Sequence, residues 1–443
     1  MATLYNPIKS YPYSANRLLV IDWASLSYHQ WHALVHHKGD KPIETSDDEC
    51  EVWRSHMFNK VMKYVRLFNP LDVIFALEGK NVWRKELVKE YYSENTLVYY
   101  DASAYYVRFD NFFFKVYKDG DEFKIQKLDF IADAHLMTNK CKKLKELPQR
   151  VQDMLWELYL PNGKTPLLPK YKGTRDKQEW KFFTDKMFFK EYKEEFAKEL
   201  AGLYRAKCIQ MEGAEGDDAV YVSLKYLEPK YDSIILITRD SDFNQLLDQK
   251  NLKIYNHQTD NMTSCLNPQD YLEIKILAGD DSDNIQGIAL PEKKNQLGGD
   301  LVKGTAKKLY EANRNVYDKA KLEGWDNQYR RNQTLISLKY IPTHIQRTLC
   351  ETIDANVPEL KGIEDISHLG IKDKLLSNVM KMKNLGFYTL LDREYVASHP
   401  DIFNSSLIKH EDDEQMAVAE KPKRTFGNLN NVFDNPLDES ECF

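Results

Sequence analysis

The chain has 443 residues, a formal net charge of −6, 42% apolar and 29% charged residues. That is enough for two or three ordinary soluble domains, and it excludes a fibrous or low-complexity chain. The six Cys form no C-x-x-C pair, which argues against a zinc fold or a disulfide framework and for a reduced, cytoplasmic setting. No apolar run approaches the ~18 residues of a membrane span, and the N-terminus lacks the plan of a signal peptide. From Glu411 onward there are nine acidic and three basic residues, a net of −6. Residues 1–410 are therefore near neutral, and positive charge that would meet a phosphate backbone must be gathered in patches.

In chain order, Leu18–Ile21 reads as a buried strand ending at Asp22, followed by a helix over WASLSYHQWHAL. His29, His32, His36 and His37 on and after it read as surface or capping residues. Met57–Phe68 has the period of an amphipathic helix. Asp72–Leu77 is a second strand, ending at Glu78, and NVWRKELVKEYY a helix carrying Arg84 and Lys85 near its start. Residues 93–169 read as an insertion, with a hairpin signal in FFFKVYKDGDEFKIQKL. In YKGTRDKQEWKFF, the cations Lys172, Arg175, Lys177 and Lys181 interleave with aromatics, a composition suited to a single nucleic-acid strand. Lys172 and Arg175 fit that role best, whereas the aromatics further along read as a helix face packed on the domain.

The stretch from Glu215 to Asp283 carries three acidic clusters: EGDD (Glu215, Asp217, Asp218), RDSD (Asp240, Asp242) and GDDSDN (Asp280, Asp283). Asp217 and Asp218 fall at a predicted helix start, where the backbone N–H groups favour carboxylates. Ile234–Thr238 is apolar on both faces, as in an inner parallel strand, so Asp240 and Asp242 lie past its carboxyl end, where open α/β sheets bind ligands. Oxygen ligands without a Cys or His set point to Mg²⁺, with Mn²⁺ able to substitute. So many carboxylates fit two ions about 3.5–4 Å apart. Beyond Asp283, Gly298, Gly299 and Gly304 precede a helix expected near Thr305, with Lys303 and Lys307 beside it, a start suited to a backbone phosphate. Helices follow to about residue 403, and the acidic remainder reads as disordered, with a small apolar island that could dock a partner.

With these motifs in order, the chain resembles the 5′ nuclease (flap endonuclease) superfamily, and most closely its phage RNase H branch, over about residues 17–390. LLVIDWASL is similar to the first metal-binding strand. EGAEGDDAVYVSL, ILITRDSDFNQLL and KILAGDDSDNIQGI resemble the remaining acidic motifs, YKGTRD the base of the helical arch, and WRKELVKEYY the WRR helix. The resemblance implies an α/β fold, with a central mostly parallel sheet flanked by helices (a PIN-like nuclease domain), a helical arch and a C-terminal helix–hairpin–helix-type region. It divides the chain into a nuclease domain over 1–284 (insertion 93–169, arch 170–200), a helical duplex-binding region over 285–405 and a tail over 406–443. It implies a two-metal site of Asp22, Glu78, Glu215, Asp217, Asp218, Asp240, Asp242, Asp280 and Asp283, with Arg84, Lys172 and Arg175 on the scissile phosphate and 5′ strand. Glu78 departs from the family's usual Asp, and LPEKKNQLGGDLV stretches the duplex-binding element.

The expected activity is 5′→3′ exonuclease and flap endonuclease cleavage of DNA or RNA–DNA hybrids by a monomer, clearing primers during phage replication in the host cytoplasm. A single-strand-binding protein, sliding clamp or polymerase are the partners implied for the tail. Two alternatives compete: a non-catalytic flap or junction binder of the same fold, and a Mg²⁺-dependent hydrolase of small phosphoesters. The clustered carboxylates disfavour the first, the basic–aromatic stretch the second.

Overall fold

Two apolar hexapeptide-scale strands set the frame: RLLVID at β1 (Arg17–Asp22) and SIILI at β9 (Ser233–Ile237). The structure, a computed structural model, describes residues 16–37, 39, 47–109, 112–128, 140–161, 163, 165–173, 186–204, 206–288, 303–312 and 326–356. β1 lies between β9 and β2 (Asp72–Ala76), parallel to both, with Leu19 opposite Val73 on one side and Ile235 on the other. Outside these, β8 (Lys207–Ile209) pairs parallel with β2, and β10 (Leu252–Asn256) parallel with β9. β11 (Asn261–Met262) closes the β10 edge antiparallel, giving the order β11-β10-β9-β1-β2-β8.

Both faces of this sheet are covered, which is why its inner strands carry no polar alternation. Leu19, Ile21, Val73, Phe75, Ile235 and Ile237 face α1 (Trp23–His37), α2 (Asp47–Phe68) and α5 (Lys186–Tyr204) in one core. Leu18, Val20, Ile74, Ala76, Ile234 and Leu236 face α6 (Gly216–Leu227) and α10 (Thr343–Ala355) in another. Each such aliphatic side chain contributes roughly 1.5–3 kcal/mol on burial. The fold is thus mixed α/β, a largely parallel sheet flanked by helices, as the pattern of strands predicts. No helix among the described residues is long and apolar enough to cross a membrane.

The expected hairpin is there, β5 (Phe112–Asp119) and β6 (Glu122–Lys127), turning at Gly120 with φ 63°. It is part of something larger. β3 (Leu97–Tyr100), β4 (Ala104–Phe109) and β7 (Lys140–Lys143) complete a five-stranded antiparallel sheet, order β6-β5-β4-β3-β7. Its inner face (Val98, Val107, Phe114, Val116) shares a core with α3 (Trp83–Asn95), α4 (Gln149–Glu157) and α7 (Pro268–Ala278). α8 (Lys303–Ala312) and α9 (Asp326–Ile336) join the same core, so the described helices after residue 285 pack on the residues before it. The 406–443 tail and residues 174–185 of the 170–200 arch lie outside the described residues.

Candidate metal centre

The carboxyl ends of the parallel strands place the acidic side chains. Asp22 ends β1 and is 4% exposed. One oxygen accepts from the Ser25 backbone N–H (3.1 Å) and the other from Thr238 Oγ1 (2.8 Å), across from β9. Asp240 caps the 3₁₀ turn that follows β9, its Oδ1 accepting from the Asp242 N–H at 2.8 Å. Glu215 caps α6, in the reciprocal arrangement where Asp218 reaches back to the Glu215 N–H at 3.0 Å. Asp217, in the first turn of α6, accepts no hydrogen bond from any described residue. Glu78, two residues past β2, lies within electrostatic reach of Asp22.

Electrostatics separates these carboxylates into two groups. Burial lifts the Asp217 carboxyl well above the ordinary range, and the charges of Asp240 and Asp22 add to it. Burial and the neighbouring Asp242 push Asp240 up to about 7. Asp22 is raised as well, by burial and then by Glu78, against its two hydrogen bonds. Like charges are held together here at a cost, and a divalent cation would relieve it. Burial would lift Glu215 too, but the Lys172 and Arg84 charges outweigh it and hold it below the ordinary range.

Arg84 sits elsewhere than the sequence suggests. Expected on a phosphate, it is 2% exposed, and its Nη1 donates to Glu215 (2.8 Å) and Asp218 (2.7 Å). Its Nε donates to the Leu335 carbonyl. Asp218, expected as a metal ligand, is fully buried, held by Arg84 and by Trp83 Nε1 at 2.8 Å. These two residues form a buried ion pair behind the site: α3 starts beside α6, and a guanidinium at its first turn finds two carboxylates there.

Lys172, expected at the base of an arch, lies on a turn with φ 56°. Its ammonium donates to Glu215 Oε1 at 2.6 Å. The turn is fixed to the third acidic cluster: the Lys172 N–H donates to the Asp283 carbonyl (2.9 Å), and Asn284 Nδ2 to the Lys170 carbonyl (2.9 Å). The buried Tyr171 hydroxyl lies between Glu215 (2.8 Å) and Asp283 (3.0 Å), its proton shared by the two.

Three groups that sequence reasoning passed over belong here. Lys275, on α7, pairs with Asp242 and, at 2.8 Å, with Asp280. Burial works against its charge, but the two carboxylates outweigh that and keep it protonated. Lys193 on α5 is 1% exposed near Glu78 and Asp22; burial depresses it and those acids counter part of the effect. His257 is 1% exposed, with Nε2 2.9 Å from Ser25 Oγ. Its ring centroid lies 5.0 Å from that of His29, the two rings tilted by 50°, so His29 is half-buried rather than a surface residue, and burial holds His29 down to about 4. Of these, Lys275 alone had a nearby signal, its place at the start of KILAGDDSDNIQGI, as Tyr171 had in YKGTRD.

Of the expected strand contacts, Lys85 is exposed on α3. Lys303, Gly304, Thr305 and Lys307 open α8, which starts two residues earlier than expected, and Lys307 pairs with Glu311 at 3.9 Å. Arg175, Lys177, Lys181, Gly298 and Gly299 lie outside the described residues. Among the described residues, no three His, Cys, Asp or Glu side chains are drawn into a group that could hold a metal as they stand. The donor chemistry nevertheless fits a hard divalent ion: oxygen ligands alone, with Asp22, Asp217 and Asp240 raised by burial and mutual repulsion.

No family model matches the chain, and no curated protein sequence does. Among solved structures it is similar to bacteriophage T5 flap endonuclease, in a pseudo-enzyme–product complex with DNA and metal ions. The identity is 14% over 76% of this chain and 98% of that one, with a TM-score of 0.44. It is also similar to T5 5′-exonuclease with divalent metal ions (zinc) bound: 14% identity, 77% and 99% covered, TM-score 0.44. At that distance, what this chain does has to be reasoned from its own residues.

Proposed function

We propose that the chain is a metal-dependent 5′ nuclease. It hydrolyses phosphodiester bonds at free 5′ ends or flaps of DNA and RNA–DNA hybrids, in the manner of a primer-clearing exonuclease and flap endonuclease. One observation carries this: the buried Asp22 and the half-buried Asp217 and Asp240 are gathered within electrostatic reach of one another at the carboxyl edge of the sheet, beside a lysine turn. A pure binder of nucleic acid gains nothing from carboxylates that repel phosphate.

Asp22, Glu78, Asp217 and Asp240 would hold the first Mg²⁺, and Asp242, Asp280 and Asp283 would take part in the second. When bound, such ions supply charge for phosphoryl oxygens and make water ionise near neutral pH. Thr238 and the Ser25 N–H orient Asp22, while Arg84 and Asp218 anchor α6 and with it Asp217. Lys172 sets Glu215 and places an ammonium beside the site, where it would offset charge growing on the phosphate. The turn's bonds to Asp283 and Asn284 hold the base of the arch at a fixed height over the acids. Contacts of this kind read backbone and a free end, so little base preference is expected.

The test is cleavage, in Mg²⁺, of an end-labelled 5′ flap, an RNA–DNA hybrid and a small phosphoester, by wild type and Asp240→Ala. Metal-dependent cutting of the polymers, lost in the variant, is the expected result. Tight flap binding without cutting would favour the non-catalytic binder, and cutting of the small ester alone a phosphohydrolase.

A further inference from the structure

The acidic residues divide by what already neutralises them. Arg84 and Lys172 hold Glu215, Arg84 holds Asp218, and Lys275 joins Asp242 to Asp280. Asp22, Glu78, Asp217 and Asp240 have no ion pair within 4.0 Å among the described residues. Of the cations on that side, Lys193 makes its closest carboxylate contact with Glu194, at 3.8 Å, and Lys172 is already paired with Glu215. One flank of the centre is thus left to an incoming cation, and the other already contains one.

We propose, on the metal-site reading above, that Lys275 is a tethered competitor for the second metal ion. Its ammonium spans Asp242 and Asp280, which that ion would need, with all three side chains largely enclosed (16%, 20% and 10% exposed). An ammonium and a hydrated divalent cation cannot share those oxygens, so the second ion enters only as Lys275 withdraws. The first ion meets no such rival. The two ions therefore bind with unequal affinity, the Asp22–Asp217–Asp240 side filling first. Without metal, Lys275 keeps the GDDSDN loop closed on the strand end. α7 is a regular helix ending at Gly279, so the competitor is mounted on a rigid element and only its four-carbon stem has to move.

The test is direct titration with Mn²⁺, by calorimetry and by loss of the free-ion paramagnetic resonance signal, on wild type, Lys275→Arg and Lys275→Met. Wild type should show two classes of site, the weaker by on the order of tenfold or more, since a full positive charge is displaced from a partly enclosed pair. Lys275→Met should tighten the weaker class by about the same factor, and Lys275→Arg should leave it weak. Two equal sites in wild type would overturn the proposal even if the Met variant does not fold. An unchanged or weakened second site in Lys275→Met would overturn it too, making Lys275 a scaffold. If no protein bound Mn²⁺ at all, the metal-site reading itself would fail, and with it the competition.

Discussion

Replacing Asp240 with Asn should make the metal-free protein more stable at alkaline pH while destroying its activity. Burial and Asp242 push Asp240 up to about 7 from an ordinary 3.8. A carboxyl raised in this way favours the fold below its unfolded value, near 3.8. That advantage is lost as pH rises through 7, where the folded chain must carry the charge. Between pH 5 and pH 8 the linkage amounts to about 2–3 kcal/mol. Asp240 is only half-buried, so roughly half of that, about 1–2 kcal/mol, should survive solvent screening. Asn does not titrate and keeps an oxygen to accept from the Asp242 N–H. Urea unfolding in EDTA at pH 5.0 and 8.0, followed by tryptophan fluorescence, measures the difference. Wild type should lose about 1–2 kcal/mol more than Asp240→Asn over that interval, and Mg²⁺ should stabilise only wild type appreciably. Equal losses in the two proteins would refute the idea that these carboxylates are held together against their repulsion.

Arg84→Met should destabilise the fold by about 3–5 kcal/mol, because it strands two buried carboxylates; a variant with normal urea stability and lost turnover would return Arg84 to the phosphate. His257 is held down to about 3 by burial, so its contribution is whole above 6.5 and drains away as pH falls towards 3. At pH 5.0 wild type should have lost about 2 kcal/mol relative to pH 7.5 that His257→Gln does not lose, and parallel acid-unfolding curves would contradict this. Gly279 has φ 76°, and a Cβ there would lie 2.3 Å from the Ile285 carbonyl oxygen. Gly279→Ala should therefore cost upwards of ~2 kcal/mol and displace Asp280; an unchanged melting midpoint would show that the loop yields.

The strand ends were legible because a parallel strand covered on both sides must be apolar throughout, so a carboxylate straight after LLVI or SIILIT stands out against its neighbours. Asp217 and Asp218 were legible as a helix start for the same local reason, though not that Asp218 would be consumed by Arg84. That depends on α3 and α6 meeting, 134 residues apart in sequence. Lys275 and His257 look like ordinary helix-face and loop residues; only the fold sets them against Asp242 and Ser25. The insertion showed one hairpin, since β5 and β6 are joined by a tight turn. The pairing of Leu97 with Lys143 that completes its sheet leaves no local signature. α2 begins ten residues before its clear apolar period, at Asp47; of the described side chains in DDECEVWRSH only Cys50 and Trp53 are buried, too few to show a period.

The hydrogen bond from Thr238 to Asp22 joins residues 216 apart, across the two central strands of the sheet. On a ribosome adding about 5–20 residues per second, roughly 10–40 s separate the synthesis of the one from that of the other. During that time β1 can pair with β2 but its other edge has no partner, and Asp22 faces neither Asp217 nor Asp240. Until Asp240 has emerged, the nascent chain accordingly carries no assembled centre. Carboxylates drawn from positions as far apart as Asp22 and Asp240 cannot, by that ordering alone, form one centre until more than half of the 443 residues have been made.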